Sequence, residues 1–188
     1  MDVFLETDRL ILRRFTMEDE DLLFELDNDP EVMHFINNGA PVPREEIVEE
    51  DLPAFLSYYD RFEGYGFWAA IEKSSGRFLG WFHFRPGEGA GPLEPELVYR
   101  LHRFAWGSGY ATEGSRALID RGFSDFGVER VYAETMVVNT GSWRVMEKSG
   151  LRRVRTYQVD WPVHIPGDEH GDYEYAITRA EWEADRAR

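Results

Sequence analysis

The residues best suited to chemistry with an anion lie in the segment Trp106-Gly107-Ser108-Gly109-Tyr110-Ala111-Thr112-Glu113-Gly114. Its closely spaced glycines let the backbone turn tightly and approach a ligand with no Cβ in the way. A strand-like run, Glu96-Leu97-Val98-Tyr99-Arg100-Leu101, precedes the turn, and a helical pattern follows from Tyr110, with Ala111, Leu118 and Phe126 at helical spacing. The start of a helix presents unpaired N–H groups and the positive end of its dipole, so strand, turn and helix form a cradle for an anion, most often phosphate. Read alone, the same turn also fits a plain strand-to-helix connection. Two familiar cradles are unsupported: the chain has no Gly-x-x-x-x-Gly-Lys-Ser/Thr and no full Gly-x-Gly-x-x-Gly opening an N-terminal βαβ unit.

Further along stand Arg130-Val131-Tyr132-Ala133-Glu134-Thr135-Met136-Val137-Val138-Asn139, then Ser142, Lys148, Gly150 and Leu151. Taken with the glycine turn, this set resembles the GNAT superfamily of acyl-CoA-dependent N-acyltransferases. It is closest to the branch that includes the ribosomal-protein N-terminal acetyltransferases, whose pattern is W-G-x-G-Y-A-T-E followed by N-x-x-S-x-x-V-x-x-K-x-G-F. Thr7-Asp8-Arg9-Leu10-Ile11-Leu12-Arg13 and Gly76-Arg77-Phe78-Leu79-Gly80-Trp81 extend the likeness over most of the chain.

The resemblance implies acetyl-CoA as cosubstrate, with its pyrophosphate on the Q/R-x-x-G-x-G/A turn. Here that register is Phe104-Ala105-Trp106-Gly107-Ser108-Gly109, so Phe stands where Gln or Arg is usual, with Arg103 one residue earlier. Trp106, Gly107, Gly109, Tyr110 and Ala111 are the implied contact stretch. Amides around Tyr99 and Leu101 would pair with the pantetheine arm like an added strand. The neighbouring strand around Thr135 to Val137 would splay away, and Asn139 would anchor the cofactor from the far side. Asn139 equally suits a helix cap, and both roles can hold at once.

Acyl transfer to an amine needs a neutral amine, a polarised thioester carbonyl and a protonated leaving thiolate. An amine with a pKa near ~10 is almost wholly protonated at neutral pH, which calls for a base or a water chain. By resemblance Glu96 is the first candidate base; Glu134 is a second, better suited to contacting substrate. Many relatives place a Tyr as general acid in the helix after Asn139, but that register here holds Met146, which has no proton to give. Ser142 is the nearest hydroxyl and the implied thiol partner. Glu169 and Asp172 belong to a loop at the rim and are expected to border the acceptor pocket. A non-catalytic acyl-CoA-binding or sensor protein of the same fold is the alternative reading.

His164-Ile165-Pro166-Gly167-Asp168-Glu169-His170-Gly171-Asp172 gathers oxygen and nitrogen donors, yet matches no common zinc spacing, so no metal is expected. No Gly-x-Ser-x-Gly elbow supports a Ser-His-Asp hydrolase. With no cysteine, the chain forms neither a disulfide nor an acyl-cysteine intermediate. A formal charge of −15, from 36 acidic against 21 basic residues, argues against nucleic acid and is compatible with a cationic acceptor. The acceptor expected is a primary amine, either on a small molecule or at a protein or peptide N-terminus. No apolar run is long enough to span a bilayer and no signal peptide is evident, so no membrane association and a cytoplasmic location are expected. Homodimers are common in such families, and the sequence leaves that state open.

The elements that must hold these residues are legible from pattern. At 188 residues and 43% hydrophobic content the chain suits one domain spanning 1–188 with a real core. Strands are expected at 9–13, 66–71, 78–84, 96–101, 130–137, 154–160 and 173–178. Helices are expected after a Thr16 cap with Asp19 in a capping-box arrangement, from about 44 to 59 with a break at Pro53, at 110–125, and at 139–148 ending at Gly150. Gly87 to Pro92 reads as a loop. The fold class is α/β (α+β): a mixed, mostly antiparallel sheet of about seven strands flanked by helices, with one splayed parallel pair.

Overall fold

The computed structural model describes residues 2–87 and 91–187. The middle of the Gly87–Pro92 loop lies outside the described residues. One eight-stranded sheet organises the chain, with strands β1 (Val3–Glu6), β2 (Leu10–Arg14), β3 (Gly66–Glu72), β4 (Phe78–Pro86), β5 (Pro95–Leu101), β6 (Arg130–Met136), β7 (Arg152–Tyr157) and β8 (Asp172–Thr178). Their order is β1-β2-β3-β4-β5-β6-β8-β7. All neighbours are antiparallel except β5 and β6, which are parallel and pair only at Glu96 and Tyr132. The sheet therefore has one strand more than expected, because Val3–Glu6 adds to the edge of β2. β7 begins and ends earlier than 154–160, since its pairing with β8 closes at Tyr157–Asp172 and includes an irregularity between Arg153 and Arg155.

The main helices are α1 (Glu20–Asp27), α2 (His34–Asn37), α3 (Arg44–Glu46), α4 (Leu52–Arg61), α5 (Tyr110–Asp125), α6 (Thr140–Lys148) and α7 (Arg179–Arg186). Thr16 and Asp19 form a reciprocal capping box before α1, and Asp19 also holds both Arg13 guanidinium nitrogens at 2.8 and 2.7 Å. The expected break near Pro53 is a change of winding: π-type turns over Ile47–Asp51 lead into α4, where Pro53 falls in the first turn and removes no needed donor. No helix among the described residues is long and apolar enough to cross a membrane.

Two apolar clusters flank the sheet. One lies under α5 and α6 and includes Phe82, Phe84, Leu97, Leu118, Phe123 and Met146. The other lies under α1 and α4 and includes Phe15, Leu26, Phe55, Phe67 and Trp81. α5 sits unusually close to the sheet because it presents Gly114 and Gly122 to it. A Cβ on Gly114 would stand 2.3 Å from the Phe82 ring, and one on Gly122 would stand 2.7 Å from Phe84. This close seat sets the height of the α5 N-terminus above β4 and β5, and so the position of the glycine turn.

Gly114→Ala tests that reading. Intrinsic helix propensity favours Ala by about 1 kcal/mol, but overpacking against the buried Phe82 ring costs about 1–3 kcal/mol and should outweigh it. Thermal unfolding should show a lower Tm, whereas an unchanged or raised Tm would mean that α5 can lift at no cost.

Candidate active site

Beyond the Glu96–Tyr132 pair the parallel strands separate. Each keeps its antiparallel partner: β5 pairs β4 from Pro95 to Leu101, and β6 pairs β8 from Arg130 to Met136. Their facing edges are left without a strand between them, and a cleft of about 1450 Å³ opens there. A ligand with its own peptide-like groups can satisfy those backbone atoms as a strand would. Tyr99, Leu101, Trp106, Gly107, Gly109, Tyr110, Ala111, Asn139 and Ser142 all line this cleft, as do Glu96 and Glu134.

The turn at the end of β5 takes its shape from glycine. Gly107 and Gly109 have φ of +71° and +83°, and Gly109 is the N-cap of α5. A Cβ at Gly107 would meet nothing within 4 Å, so the requirement there is backbone conformation and open space for a ligand. The first amides of α5 have no intrahelical acceptor and face the same space. Trp106 is half exposed and donates its indole N–H to the Leu101 carbonyl at 2.8 Å, which fastens the turn to the strand.

Glu113, in the first turn of α5, could repel an anion held there, but it is neutralised in place. It accepts from Thr7 Oγ1 at 2.6 Å, from the Arg9 amide at 2.9 Å and from Arg9 Nε at 2.6 Å. Burial works against the carboxylate, and these donors outweigh it, holding the Glu113 pKa below the usual range. Arg9 also donates to the Ser108 carbonyl at 2.9 Å and stacks 4.4 Å above the Tyr110 ring. Arg9 thus stands beside the turn, whereas Arg103 points away to Glu31. The cleft wall on this side also carries Arg116, Arg144 and Lys148. Arg9 stands in the Thr7–Arg13 run and Arg116 and Arg144 in no motif, so nothing in their spacing marks a shared surface, and only the fold brings the three together.

Asn139 caps α6, its side-chain oxygen accepting from the Ser142 amide at 3.2 Å. Ser142 Oγ lies 3.2 Å from the Tyr99 hydroxyl, which donates to the Ser142 carbonyl at 2.7 Å. Burial pushes the Tyr99 pKa up. Tyr99 was expected to matter through its backbone, and its side chain adds a brace behind Ser142. Met146, in the register where relatives place a Tyr, is buried in the core.

The cleft is also lined by the carboxylates Glu96, Glu134 and Asp172, with Val32, Phe35 and Trp161 among its walls; Glu31 lines it too, paired with Arg103. Glu96 stands at the β5 position that pairs with β6, its Oε2 3.3 Å from His83 Nε2. Burial opposes its charge, but His83 and Arg85 keep its pKa below the usual carboxylate range. Glu134 is pushed the other way, by partial burial and by the like charges of Glu96 and Glu174, against a hydrogen bond from Tyr157. Burial and these carboxylates raise the Tyr132 pKa to about 12. Asp172 is buried, accepts from Trp161 Nε1 at 3.2 Å, and burial raises its pKa.

Glu169 departs from expectation. It does not line the cleft: its Oε2 accepts from the Gly167 amide at 3.1 Å, and the tight turn over Asp168–His170 carries it outward. Asp172, from the same loop, takes the rim position. His164 pairs with Asp168 at 2.6 Å, and among the described residues no three such side chains gather into a metal-holding set.

The comparisons agree with this geometry. The family model described as "Acetyltransferase (GNAT) domain" matches residues 9–152. The FsC-acetyl coenzyme A-N(2)-transacetylase of Aspergillus fumigatus is 32% identical over 184 residues, covering 95% of this chain and 77% of that protein. A GNAT-family acetyltransferase structure from Bacillus anthracis superposes with a TM-score of 0.74 at 25% identity, covering 96% of this chain and 99% of that one. The aminoglycoside acetyltransferase AAC(6')-Ib, solved with coenzyme A, gives a TM-score of 0.74 at 23% identity over 94% and 99% of the two chains, a likeness of fold. A strand pair that opens over a glycine cradle, with the family match spanning both, establishes that the chain belongs to the GNAT family of acetyl-CoA-dependent acetyltransferases.

Proposed function

We propose that the enzyme transfers acetyl directly from acetyl-CoA to a primary amine on a small molecule that carries further positive charge. The observation that carries this reading is that one cleft holds both the glycine turn, with Arg9, Arg116, Arg144 and Lys148 on its walls, and the carboxylates Glu96, Glu134 and Asp172. The pyrophosphate rests on amides of Gly107 to Ala111 with Arg9 beside it, while Arg116, Arg144 and Lys148 offset the remaining phosphate charge. The pantetheine arm runs along β5 near Tyr99 and Leu101, with Asn139 on the other side.

The acceptor arrives as an ammonium, drawn by these carboxylates. Glu96 takes a proton from it, directly or through a water, and the free amine attacks the thioester carbonyl carbon. The C–S bond breaks as the amide forms; the Ser142 hydroxyl gives its proton to the departing thiolate and regains one, through water, from the newly acylated nitrogen, with the Tyr99 hydroxyl standing behind it. Glu134 and Asp172 contact the acceptor. With no cysteine in the chain, transfer within a ternary complex fits best.

Names of similar proteins support a small-molecule acceptor. The Aspergillus relative is named for N(2)-transacetylation of FsC, and structures of AAC(6')-Ib and of a spermidine N-acetyltransferase hold kanamycin and spermine. The W-G-x-G-Y-A-T-E run favours a second reading, a protein or peptide N-terminal amine. A panel of polyamines, aminoglycosides and peptides, followed by thiol release, separates the two. If no amine releases thiol, the catalytic reading falls.

Gly109→Asp should weaken CoA binding by roughly a hundredfold, about 3 kcal/mol by calorimetry. The new carboxylate would occupy the pyrophosphate position and draw Arg9, whose Nη2 lies 3.4 Å from the added Cβ. Unchanged affinity in a folded variant would place the cofactor elsewhere. Glu96→Gln should lower kcat/KM by about 10²–10⁴ at neutral pH. Its deficit should shrink as pH rises, because more of the acceptor is already neutral; a native pH–rate profile would pass the role to Glu134 or water. Labelled acetyl-CoA without amine should leave no label on the denatured protein, and a stoichiometric adduct would overturn the ternary-complex reading.

A further inference from the structure

β4 crosses the interior with Trp81, Phe82 and Phe84 buried, and His83 is buried among them. The Phe67 ring packs against its imidazole at 5.0 Å. A polar ring in this setting destabilises the core unless its nitrogens are used. His83 Nε2 is sealed from solvent and makes no hydrogen bond of standard geometry. Beside it, at 3.3 Å, is Oε2 of Glu96. The strand register accounts for this: Arg85 pairs with Glu96 and His83 with Val98, so His83 and Glu96 are diagonal neighbours on one face. Burial pushes the imidazole pKa down despite the nearby carboxylate, which favours the neutral ring. A neutral ring carries one N–H, and the carboxylate assigns it to Nε2.

We propose that His83 is a positioning residue for Glu96, holding Oε2 from behind with a neutral Nε2–H and leaving Oε1 for the proton of the acceptor amine. This rests on Glu96 being the base. At 3.3 Å the contact is within reach but not aligned as a hydrogen bond, and catalytic hydrogen bonds often tighten only in the Michaelis complex. A neutral donor suits the task, because it supports the carboxylate without the full charge that would weaken it as a base. The groups facing the pair come from several elements. Arg85 lies on β4 and donates to the Tyr58 hydroxyl of α4 at 2.8 Å. Tyr132 and Glu134 approach from β6, and β3 contributes the uncharged Phe67.

The test compares pH profiles of kcat/KM for the native enzyme, His83→Leu, His83→Gln and Glu96→Gln, with Tm and CoA affinity measured on each. Without the donor, burial and the like charge of Glu134 favour a protonated Glu96. His83→Leu should therefore lose roughly tenfold near pH ~6 and recover to within about twofold near pH ~8.5, with CoA affinity unchanged. His83→Gln restores an N–H and should regain most of the acid-side loss. A His83→Leu deficit equal at every pH, beside a crippled Glu96→Gln enzyme, overturns the positioning role and leaves Glu96 as base. A native profile for Glu96→Gln overturns both. Should His83→Leu fail to fold, His83→Gln and nitrogen NMR of the native imidazole decide. A ring protonated at neutral pH, or one carrying its proton on Nδ1, contradicts the proposal.

Discussion

Everything at the site depends on β5 and β6 touching at one residue pair and then parting. Backbone amides and carbonyls left unpaired in a sheet interior are costly unless something else bonds to them. Here the cost is contained, because each diverging strand is held on its other side by a full antiparallel neighbour. The gap is stable without closing, and its edges recognise an extended ligand as a strand would. The glycine turn lies at the end of β5 and the Asn139 cap lies just past β6, so the gap leads from an anion cradle to a helix terminus.

Charge along that gap departs from the overall balance of the chain. A protein with a net charge of −15 would repel a polyphosphate from most directions. The fold answers locally, with Arg9 cancelling Glu113 and further basic side chains along the same wall. The same cleft carries Glu96, Glu134 and Asp172, so its walls bear charges of both signs.

The place of Glu96 also follows from the splay. As the last residue of β5 paired on both edges, it has a backbone held by β4 and β6 together. Its neighbours Tyr99 and Leu101 lie where only β4 remains. Its backbone is therefore anchored in the sheet on both sides, while the strand beyond it is held on one edge only. His83 supplies side-chain anchoring from β4, and Tyr99 does the same for Ser142 from β5. Both supports come from the sheet and neither from a loop, which keeps Glu96 and Ser142 in fixed relation.

Local signals in the sequence were enough for the elements and for the cradle. Helix 110–125, the Thr16–Asp19 box and the Asn139 cap are written in residues close together along the chain, where capping and periodicity act. The short strand Val3–Glu6 carries too little pattern to be read, and its pairing comes only from an open edge on β2. What tertiary structure decided was which distant side chains share a surface. Arg9 meets Glu113 across 104 positions, Tyr99 meets Ser142 across 43, and Glu169 turns outward while Asp172 turns in. No local rule encodes those contacts, because they depend on strand register and on how closely α5 can approach the sheet through Gly114 and Gly122.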